Sequence, residues 1–347
     1  MPAVADFLAA STPILDVRSP GEFAHAHIPG AISFPLFSDD ERAQVGTCYK
    51  QEGRDRAVEL GFAIAGPKFA GFIAQAKEIA PDRRVRLHCW RGGMRSGAIA
   101  WVLGMAGFEV KTLSGGYKAF RHWALSTTEI PLRVLTLGGM TGTGKTNILA
   151  ALAAQGEQTL DLEALANHRG SSYGALGLPP QPTTEQFENL IAMQWAKFDP
   201  DRPVWIEAES CGIGRCRVPI GVFAQMMQAP ILQVARPRSE RLALLVEMYG
   251  IADIQELITA TDRIRKRLGG LRTQQAIDLL QQKQLAAAFD VILDYYDKTY
   301  QYDLEKRQVP IHTVEVTNCS DAQSAALLIE AARRLPVQTA DSLAALR

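Results

Sequence analysis

Residues 134–146 of this 347-residue chain read VLTLGGMTGTGKT, in which an apolar run passes directly into a glycine-rich segment that ends in lysine and threonine. The apolar run predicts a buried strand, and the apolar residues after position 146 predict a helix. Between them, residues 139–146 have the spacing Gly-x-x-x-x-Gly-Lys-Thr, which is typical of a phosphate-binding loop (P-loop) when it joins a strand to a helix. The stretch therefore predicts a parallel α/β sheet with a phosphate site at its carboxyl edge.

The residue types of the P-loop indicate how it would bind a diphosphate. Its glycines let backbone amides surround the phosphate oxygens, Lys145 supplies a positive charge, and the Thr146 hydroxyl can hold Mg²⁺. The spacing is compatible with a nucleotide and with any other diphosphate. The predicted diphosphate-binding residues are Gly139, Thr141, Gly142, Thr143, Gly144, Lys145 and Thr146.

Charged side chains near the ends of neighbouring predicted strands could complete this site. Asp161 and Glu207 lie at such ends, where a carboxylate reaches Mg²⁺ directly or through water. His168 and Arg169 open a polar, glycine-containing loop that is well placed to contact a substrate. We predict these four residues as possible Mg²⁺ or substrate ligands.

Strand and helix patterns alternate after the P-loop. Five strands are predicted, at residues 133–138, 158–162, 204–207, 231–235 and 312–316. Helical patterns separate them, and residues 272–304 are mostly helical by period. This alternation predicts a parallel sheet with helices on both faces, followed by a helical carboxyl-terminal region.

A smaller α/β block precedes the P-loop. Strands are predicted at residues 13–17 and 85–88, and helices at 67–79 and 96–104. Polar residues at 126–129 and the proline after them separate the two blocks. We therefore predict two domains, at residues 1–128 and 129–347.

The strongest chemical signal in the first block is the segment HCWRGGMRS at residues 88–96. Cys89 leaves a predicted buried strand, enters a glycine-rich loop and is followed by a helix. Backbone amides of such a loop and the positive end of the helix bind an anion and favour the thiolate, which makes Cys89 a candidate nucleophile. The predicted anion-loop residues are Trp90, Arg91, Gly92, Gly93, Met94 and Arg95.

Two families use a loop of this kind. The spacing Cys-x5-Arg-Ser is the signature of cysteine-dependent phosphatases, in which the arginine holds the phosphate. The upstream segments DVRSPGEF (16–23) and HIPGAI (27–32) resemble the entry signature of rhodanese domains, which carry sulfur or selenium on the cysteine. Some phosphatases share the rhodanese fold, so both chemistries remain open on these motifs alone.

The combination of motifs is more specific than either one. A rhodanese-like domain with the loop CWRGGMRS, fused to a P-loop domain with DLEALANHRGSSYG (161–174) and VWIEAES (204–210), resembles the tRNA 2-selenouridine synthase family. The resemblance implies exchange of the 2-thio sulfur of a wobble uridine, in the anticodon of tRNA, for selenium from selenophosphate. It also implies an S-geranyl intermediate made from geranyl diphosphate, with Cys89 as the catalytic cysteine. A selenophosphate-producing enzyme is then a candidate partner.

The charge balance restricts how the chain could bind RNA. Lysine plus arginine and aspartate plus glutamate each number 37, so no global positive field attracts a polyanion. A local patch is therefore required, and a solvated helix face is the alternative interpretation of the same residues. The predicted RNA-binding residues are Arg263, Arg265, Lys266, Arg267 and Arg272, supported upstream by Arg236, Arg238 and Arg241. The candidates for stacking on the flipped base are Trp90, Tyr173 and Trp205.

Composition and cysteine usage suggest the compartment. Five scattered cysteines suit free thiols in a reducing environment, and no uninterrupted apolar run reaches the roughly 20 residues of a membrane span. We expect a cytoplasmic enzyme with no membrane partner and no structural metal. The alternative interpretation is a P-loop small-molecule kinase or ATPase fused to a rhodanese-like or phosphatase-like domain. In the kinase, the nucleotide phosphates would be bound by Arg236, Arg241, Arg263 and Arg265.

Overall fold

The computed structural model describes residues 2–335, which form two compact units, and the second unit begins at Thr128. We call them the N-terminal unit and the C-terminal unit. Each contains a parallel sheet accompanied by helices, so the predicted α/β fold class is confirmed.

The N-terminal unit contains a four-stranded parallel sheet in the order β2-β1-β3-β4. Its central strands carry the apolar side chains of the core, among them Leu15 and Leu87, which are fully buried. The elements are α1 Pro2–Ala9, β1 Ile14–Asp16, α2 Pro20–His25, β2 Ala31–Ser33, α3 Asp39–Gln51, α4 Arg54–Ala65, α5 Phe69–Ile79, β3 Arg84–His88, α6 Met94–Met105, β4 Glu109–Thr112 and α7 Gly116–Thr127.

The C-terminal unit contains a five-stranded parallel sheet in the order β11-β10-β5-β7-β6 and a short antiparallel pair, β8 and β9. Its elements are β5 Val134–Gly139, α8 Lys145–Ala154, β6 Gln158–Leu160, α9 Leu162–Ala166, α10 Thr184–Trp195, β7 Val204–Glu207, β8 Gly212–Ile213, β9 Cys216–Arg217, α11 Ile220–Gln228, β10 Ile231–Ala235, α12 Arg238–Tyr249, α13 Ile254–Arg263, α14 Arg265–Leu268, α15 Gly270–Gln281, α16 Leu285–Glu305, β11 Ile311–Glu315 and α17 Asp321–Arg333.

The two faces of the larger sheet bury different cores. Along β7, Val204 and Ile206 pack into one apolar cluster and Trp205 into another, because successive side chains of a strand point to opposite faces. Both faces are therefore covered, as is usual for a parallel sheet. A third cluster lies among α12 to α16, away from the sheet.

The parallel arrangement determines where a ligand can bind. Strand β5 is central, with β7 on one side and β10 on the other. The carboxyl ends of all three strands lie at the same edge of the sheet, and the P-loop leaves β5 there. Residues that follow β7 and β10 are thereby brought next to the P-loop.

One helical run is long and apolar enough, by length and composition, to cross a membrane. It covers Arg54–Ile79 and consists of α4 and α5 joined by a 3-10 turn at Gly66–Lys68. Among the residues that the structure describes it is the single such run, and 17% of its apolar 18-residue window is buried. The N-terminal unit therefore exposes apolar helix surface.

Candidate functional site

Cys89 lies directly after β3, at the start of an exposed loop that leads into α6. Gly92 and Gly93 adopt φ angles of 72° and 76°, a left-handed conformation that favours glycine and turns the chain back over the cysteine. The Cys89 side chain is itself 1% exposed. Its Sγ lies 3.5 Å from the Ser96 hydroxyl, which can donate to a thiolate, and 3.6 Å from the Arg91 carbonyl oxygen. The loop thus shields a single sulfur beneath its backbone.

The second arginine of the loop is already engaged by a carboxylate. Arg95 donates to Glu22 at 2.7 Å, and Arg42 lies 3.8 Å from the same carboxylate. Burial alone would raise the pKa of Glu22, but the hydrogen bond and charge of Arg95 hold it below its ordinary value. This ion pair offsets part of the positive charge of Arg95 within the anion loop. A polar cavity of about 470 Å³ opens beside this pair and Trp90.

Buried polar contacts hold the cysteine loop from behind. Asp16 and Arg18, both in the segment that resembled a rhodanese signature, form a fully buried ion pair, and the Arg18 guanidinium lies 3.8 Å from the centre of the Tyr117 ring. The Tyr117 amide donates to the Cys89 carbonyl oxygen at 2.8 Å. Burial lowers the pKa of His88 to about 4, so this histidine is neutral near pH 7. These groups fix the loop geometry and do not reach the sulfur.

The P-loop is held by two helices of the C-terminal unit that lie far along the chain from it. Tyr300 of α16 accepts a hydrogen bond from the Gly139 amide at 2.7 Å. Arg241 of α12 donates to the Thr141 carbonyl oxygen at 2.8 Å and pairs with Asp297 of α16. The loop conformation is therefore supported from outside, before any phosphate binds.

A cluster of carboxylates faces the lysine and threonine of the P-loop. The Thr146 hydroxyl lies 3.1 Å from Glu163 and 3.0 Å from Glu207, while Lys145 donates to the Gly139 carbonyl oxygen at 3.0 Å. Glu209 is hydrogen-bonded to Glu163. The arrangement brings three acidic side chains together where Mg²⁺ and phosphate meet in P-loop proteins.

Burial raises the pKa of every carboxyl group in this cluster. Burial and the neighbouring Glu209 raise the pKa of Glu163 to about 7. Glu207 is completely buried, and burial together with the nearby carboxylates raises its pKa well above the ordinary value. One Glu207 oxygen, Oε2, has no hydrogen-bond partner. In the absence of a cation the cluster therefore retains protons near neutral pH.

The structure brings only some of the predicted ligands to the P-loop cavity, which has a volume of about 530 Å³. Arg169 lines it, as do Glu163 and Glu209. Asp161 instead caps α9, where its side chain accepts from the Ala164 amide at 2.8 Å. His168 does not line the cavity. Sequence reasoning missed Glu163 and Glu209 as residues of the site, since glutamates at these positions are equally suited to cap helices or to pair with arginines.

A glycine explains how the loop that carries Arg169 approaches the carboxylates. Gly170 has a φ of 64°, and a β-carbon there would lie 2.7 Å from Glu209 and 3.2 Å from Glu163. A larger residue would force these two carboxylates to move and would be strained at this left-handed φ. Both effects favour glycine in the segment HRGSSYG.

Comparison with known proteins agrees with both halves of this description. Residues 3–122 match the model of the rhodanese-like domain, and residues 132–326 match the model of the tRNA 2-selenouridine synthase AAA domain. The curated tRNA 2-selenouridine synthase of Marinobacter nauticus is 35% identical over 332 residues, which cover 85% of this chain and 89% of that protein. The chain belongs to the tRNA 2-selenouridine synthase family.

Two further relatives with the same name show a similar level of identity. The tRNA 2-selenouridine synthase of Hydrogenovibrio crunogenus is 36% identical, covering 86% of this chain and 91% of that protein. That of Shewanella oneidensis is 35% identical, covering 87% and 89%. The similarity to this family thus spans both units, and the predicted resemblance is confirmed.

The basic patch predicted in this family member is divided among three helices. Residues 263–272 run from the end of α13 through the four-residue α14 to the start of α15. Arg265 pairs with Asp262 at 2.6 Å and Arg272 lies 3.5 Å from Asp294, whereas Arg267 lines the P-loop cavity. The residues lie close in space but do not form one helical stripe.

The upstream support for this patch was predicted wrongly. Arg238 pairs with Asp290 and Asp294 at 2.6 and 2.8 Å, and Arg241 pairs with Asp297. Arg238 and Arg241 therefore present no free guanidinium to RNA, because α16 supplies carboxylates that the local sequence did not reveal. Arg236 is buried beside the P-loop, where a β-carbon on Gly144 would lie 4.0 Å from it, and its Nε and Nη2 atoms have no hydrogen-bond partner.

Burial also decides among the predicted base-stacking residues of this family member. Tyr173 is 3% exposed and its hydroxyl lies 2.7 Å from that of Thr261, while Trp205 is completely buried in the sheet core. Both predictions were wrong, because an aromatic ring inside a core cannot receive a base. Trp90, on the cysteine loop, is 40% exposed and remains a candidate.

The raised pKa of Glu163 predicts how stability depends on pH. A carboxyl whose pKa is about 7 in the folded state and ordinary in the unfolded state stabilises the fold below about pH 4.5, and this contribution is lost as the pH rises through 7. We expect Glu163→Gln to remove most of that loss, so that at pH 8 the metal-free variant is more stable than wild type by roughly 3 kcal/mol at most. Denaturant unfolding at pH 5 and pH 8, with a chelator present, measures the effect.

A matched control is Glu256→Gln, which changes an exposed glutamate of α13. It should leave the difference between the two pH values as it is in wild type. If the free energy of unfolding depends equally on pH in wild type and in Glu163→Gln, the pH dependence does not arise from protons bound by this carboxylate cluster.

Proposed function

We propose that this chain is a tRNA-modifying transferase that replaces the 2-thio sulfur of a wobble uridine with selenium, using its two anion-binding loops for two successive steps. The observation that supports this most is family membership across both units, at about 35% identity to proteins named tRNA 2-selenouridine synthase. A shielded cysteine loop and a braced P-loop in one chain suit a reaction that handles both a selenium donor and a diphosphate.

In the first proposed step the P-loop binds the diphosphate of geranyl diphosphate. The thio sulfur attacks the carbon that bears the diphosphate, the carbon–oxygen bond breaks with its electron pair remaining on diphosphate, and the base loses its N3 proton. Lys145 is positioned to neutralise the negative charge that develops on the leaving group. The product is S-geranyl-2-thiouridine, whose thioether can depart more easily than a thiocarbonyl sulfur.

In the second proposed step selenophosphate and water convert S-geranyl-2-thiouridine into 2-selenouridine, geranylthiol and phosphate. Selenium replaces sulfur at C2 of the base, and geranylthiol leaves with one proton. We assign Cys89 to the handling of selenium, because a sulfur beneath an anion-binding loop suits transfer of a soft anion away from bulk water. Arg91 remains available to the donor at the exposed rim of the loop.

The residues around Thr146 fit Mg²⁺. Glu207 has a buried carboxylate oxygen without a partner, and the Thr146 hydroxyl lies beside it, as expected for a cation held by one or two carboxylates, a hydroxyl and the ligand phosphates. Among residues 2–335, no group of three or more histidine, cysteine, aspartate or glutamate side chains is arranged to bind a metal ion without further ligands. A bound Mg²⁺ would supply charge neutralisation for the diphosphate.

Nucleoside mass spectrometry of tRNA incubated with the purified protein tests the proposal. With geranyl diphosphate alone we expect S-geranyl-2-thiouridine, and with selenophosphate added we expect 2-selenouridine. No change in the wobble uridine under either condition, together with tight ATP binding, would favour the kinase or ATPase interpretation.

The basic patch gives a prediction for tRNA binding. Replacing Arg265, Lys266 and Arg267 together with alanine should weaken tRNA binding and flatten its salt dependence. Each phosphate contact releases counterions from the RNA when it forms, so fewer counterions are released when three contacts are lost. The slope of log K against log salt is expected to change by about 0.7–0.9 per contact, or about two units in all. Filter binding at several salt concentrations measures this slope.

A control triple, Lys50→Ala with Arg56→Ala and Lys77→Ala, removes three exposed cations from α3 to α5 and should leave the slope unchanged. An unchanged slope in the patch variant would place the RNA elsewhere. Loss of ATP affinity with an unchanged slope would instead favour the kinase interpretation.

A further inference from the structure

The N-terminal unit exposes an apolar groove beside the cysteine loop, formed by α3, α4 and α6. Its volume is about 410 Å³, within the range of roughly 300–1,000 Å³ usual for small-molecule sites. Five large apolar side chains line it while being partly exposed to solvent: Tyr49, Val58, Phe62, Met94 and Trp101. A contiguous exposed apolar surface of this kind is uncommon on soluble proteins and usually marks a binding site.

The groove follows one face of α6, and this face begins at the cysteine loop. Met94, Ala98 and Trp101 are spaced at i, i+4 and i+7, so they lie on the same side of the helix. The opposite side, with Ile99 and Leu103, packs into the core. Helix α6 is therefore apolar on both sides. Cys89 packs with Ile99 and Leu103 on the core side, whereas the groove side begins at Met94 of the cysteine loop and is partly exposed to solvent.

The charges of the groove indicate what kind of molecule could fill it. The two charged residues that line it, Arg54 and Arg95, are both basic. Glu22 already pairs with Arg95, so Arg54 is the cation that is available to a ligand. An occupant should therefore combine a hydrocarbon portion with a neighbouring anionic group. A nucleotide that carries an alkyl or alkenyl chain has this combination, since its phosphates lie a few bonds from the modified base.

We propose that this groove binds the hydrocarbon chain of an S-alkylated nucleotide and so presents the base to the cysteine loop. The inference rests on the proposed function, in which the tRNA carries a ten-carbon chain when it reaches Cys89. The chain lies along α6 between Phe62 and Trp101, and a phosphate lies near Arg54. The groove then distinguishes the alkylated base from the unmodified 2-thiouridine.

The test uses the full chain and two anticodon stem-loops, one with S-geranyl-2-thiouridine and one with 2-thiouridine. The double variant Phe62→Gln/Trp101→Gln should raise KM for selenation of the geranylated stem-loop by about ten- to a hundredfold, because two large apolar contacts are lost. Geranylation of the 2-thiouridine stem-loop should stay within about twofold of wild type. Met105→Gln, which changes an exposed residue of α6 outside the groove, is the matched control and should leave both reactions unchanged.

A binding measurement separates this inference from the proposed function. Trp101 is 62% exposed, so its fluorescence should shift to shorter wavelength when S-geranyl-2-thiouridine nucleoside binds, and much less with S-methyl-2-thiouridine. Trp101→Phe should remove the shift. If wild type shows the shift without selenation, the proposed function fails while the groove assignment holds.

Three results would overturn the assignment. The first is equal affinity of wild type for the geranyl and methyl nucleosides, and the second is an equal loss of both reactions in the double variant. The third is a groove filled by something else: a wild-type dimer that Phe62→Gln makes monomeric, or binding to phosphatidylglycerol vesicles that the same variant abolishes.

Discussion

Cys89→Ser is expected to abolish selenium incorporation into tRNA while S-geranylation continues. Serine fits the space of the buried sulfur, and Ser96 can donate to it as it can to cysteine, so the fold should remain intact. A serine hydroxyl is far less acidic and less nucleophilic than a thiol, so it cannot replace the Cys89 thiolate in the selenium step. Mass spectrometry of tRNA after incubation with geranyl diphosphate and selenophosphate should show S-geranyl-2-thiouridine accumulating in place of 2-selenouridine.

The matched control is Cys48→Ser, since Cys48 is a buried cysteine of the same unit that lies outside the anion loop. It should retain both reactions. Normal 2-selenouridine formation by Cys89→Ser would eliminate a role for this residue in the selenium step, whereas an equal loss of geranylation would argue for one shared site.

Lys145→Ala is expected to weaken geranyl diphosphate binding by roughly ten- to a hundredfold, the value of one charge-assisted phosphate contact of about 1.5–3 kcal/mol. Lys145 also offsets the negative charge of the neighbouring carboxylates, so its loss should make the cavity still less favourable for an anion. Selenation of a stem-loop that already carries S-geranyl-2-thiouridine should continue. Isothermal titration and the two separate reactions measure these effects.

Lys306→Ala provides the control, because it removes one positive charge from the same unit at the end of α16. Its binding of geranyl diphosphate should equal that of wild type. Tight ATP binding by wild type with no measurable affinity for geranyl diphosphate would contradict the assignment of the P-loop and support the kinase or ATPase interpretation.

The regular elements were predictable where the apolar pattern was strong. The strands predicted at 204–207 and 231–235 have the predicted bounds, and the helical stretch from 272 divides into α15 and α16. Strands β2 (AIS) and β4 (EVKT) escaped prediction, since each is short and contains a single large apolar residue. Neither has the continuous apolar run that marks a buried strand.

The candidate site also has a part that was predictable from local motifs and a part that was not. Local motifs indicated Cys89 and the P-loop, because both depend on a glycine-rich loop between a strand and a helix. The contacts of Tyr300 with Gly139 and of Asp297 with Arg241 join residues far apart in sequence, so no local pattern predicts them. Pairing with carboxylates of α16 also neutralises Arg238 and Arg241, which the sequence analysis had predicted to support RNA binding.

The bracing of the P-loop also ties its stability to that of a distant helix. Tyr300 and Asp297 lie one turn apart on α16, and both reach the loop, directly or through Arg241. Local opening of α16 would release the Gly139 amide and the Thr141 carbonyl together, so loop and helix behave as one cooperative folding unit. The rate of amide hydrogen exchange in the P-loop is then set by the opening of α16. A ligand that stabilises the loop should in turn slow hydrogen exchange in α16.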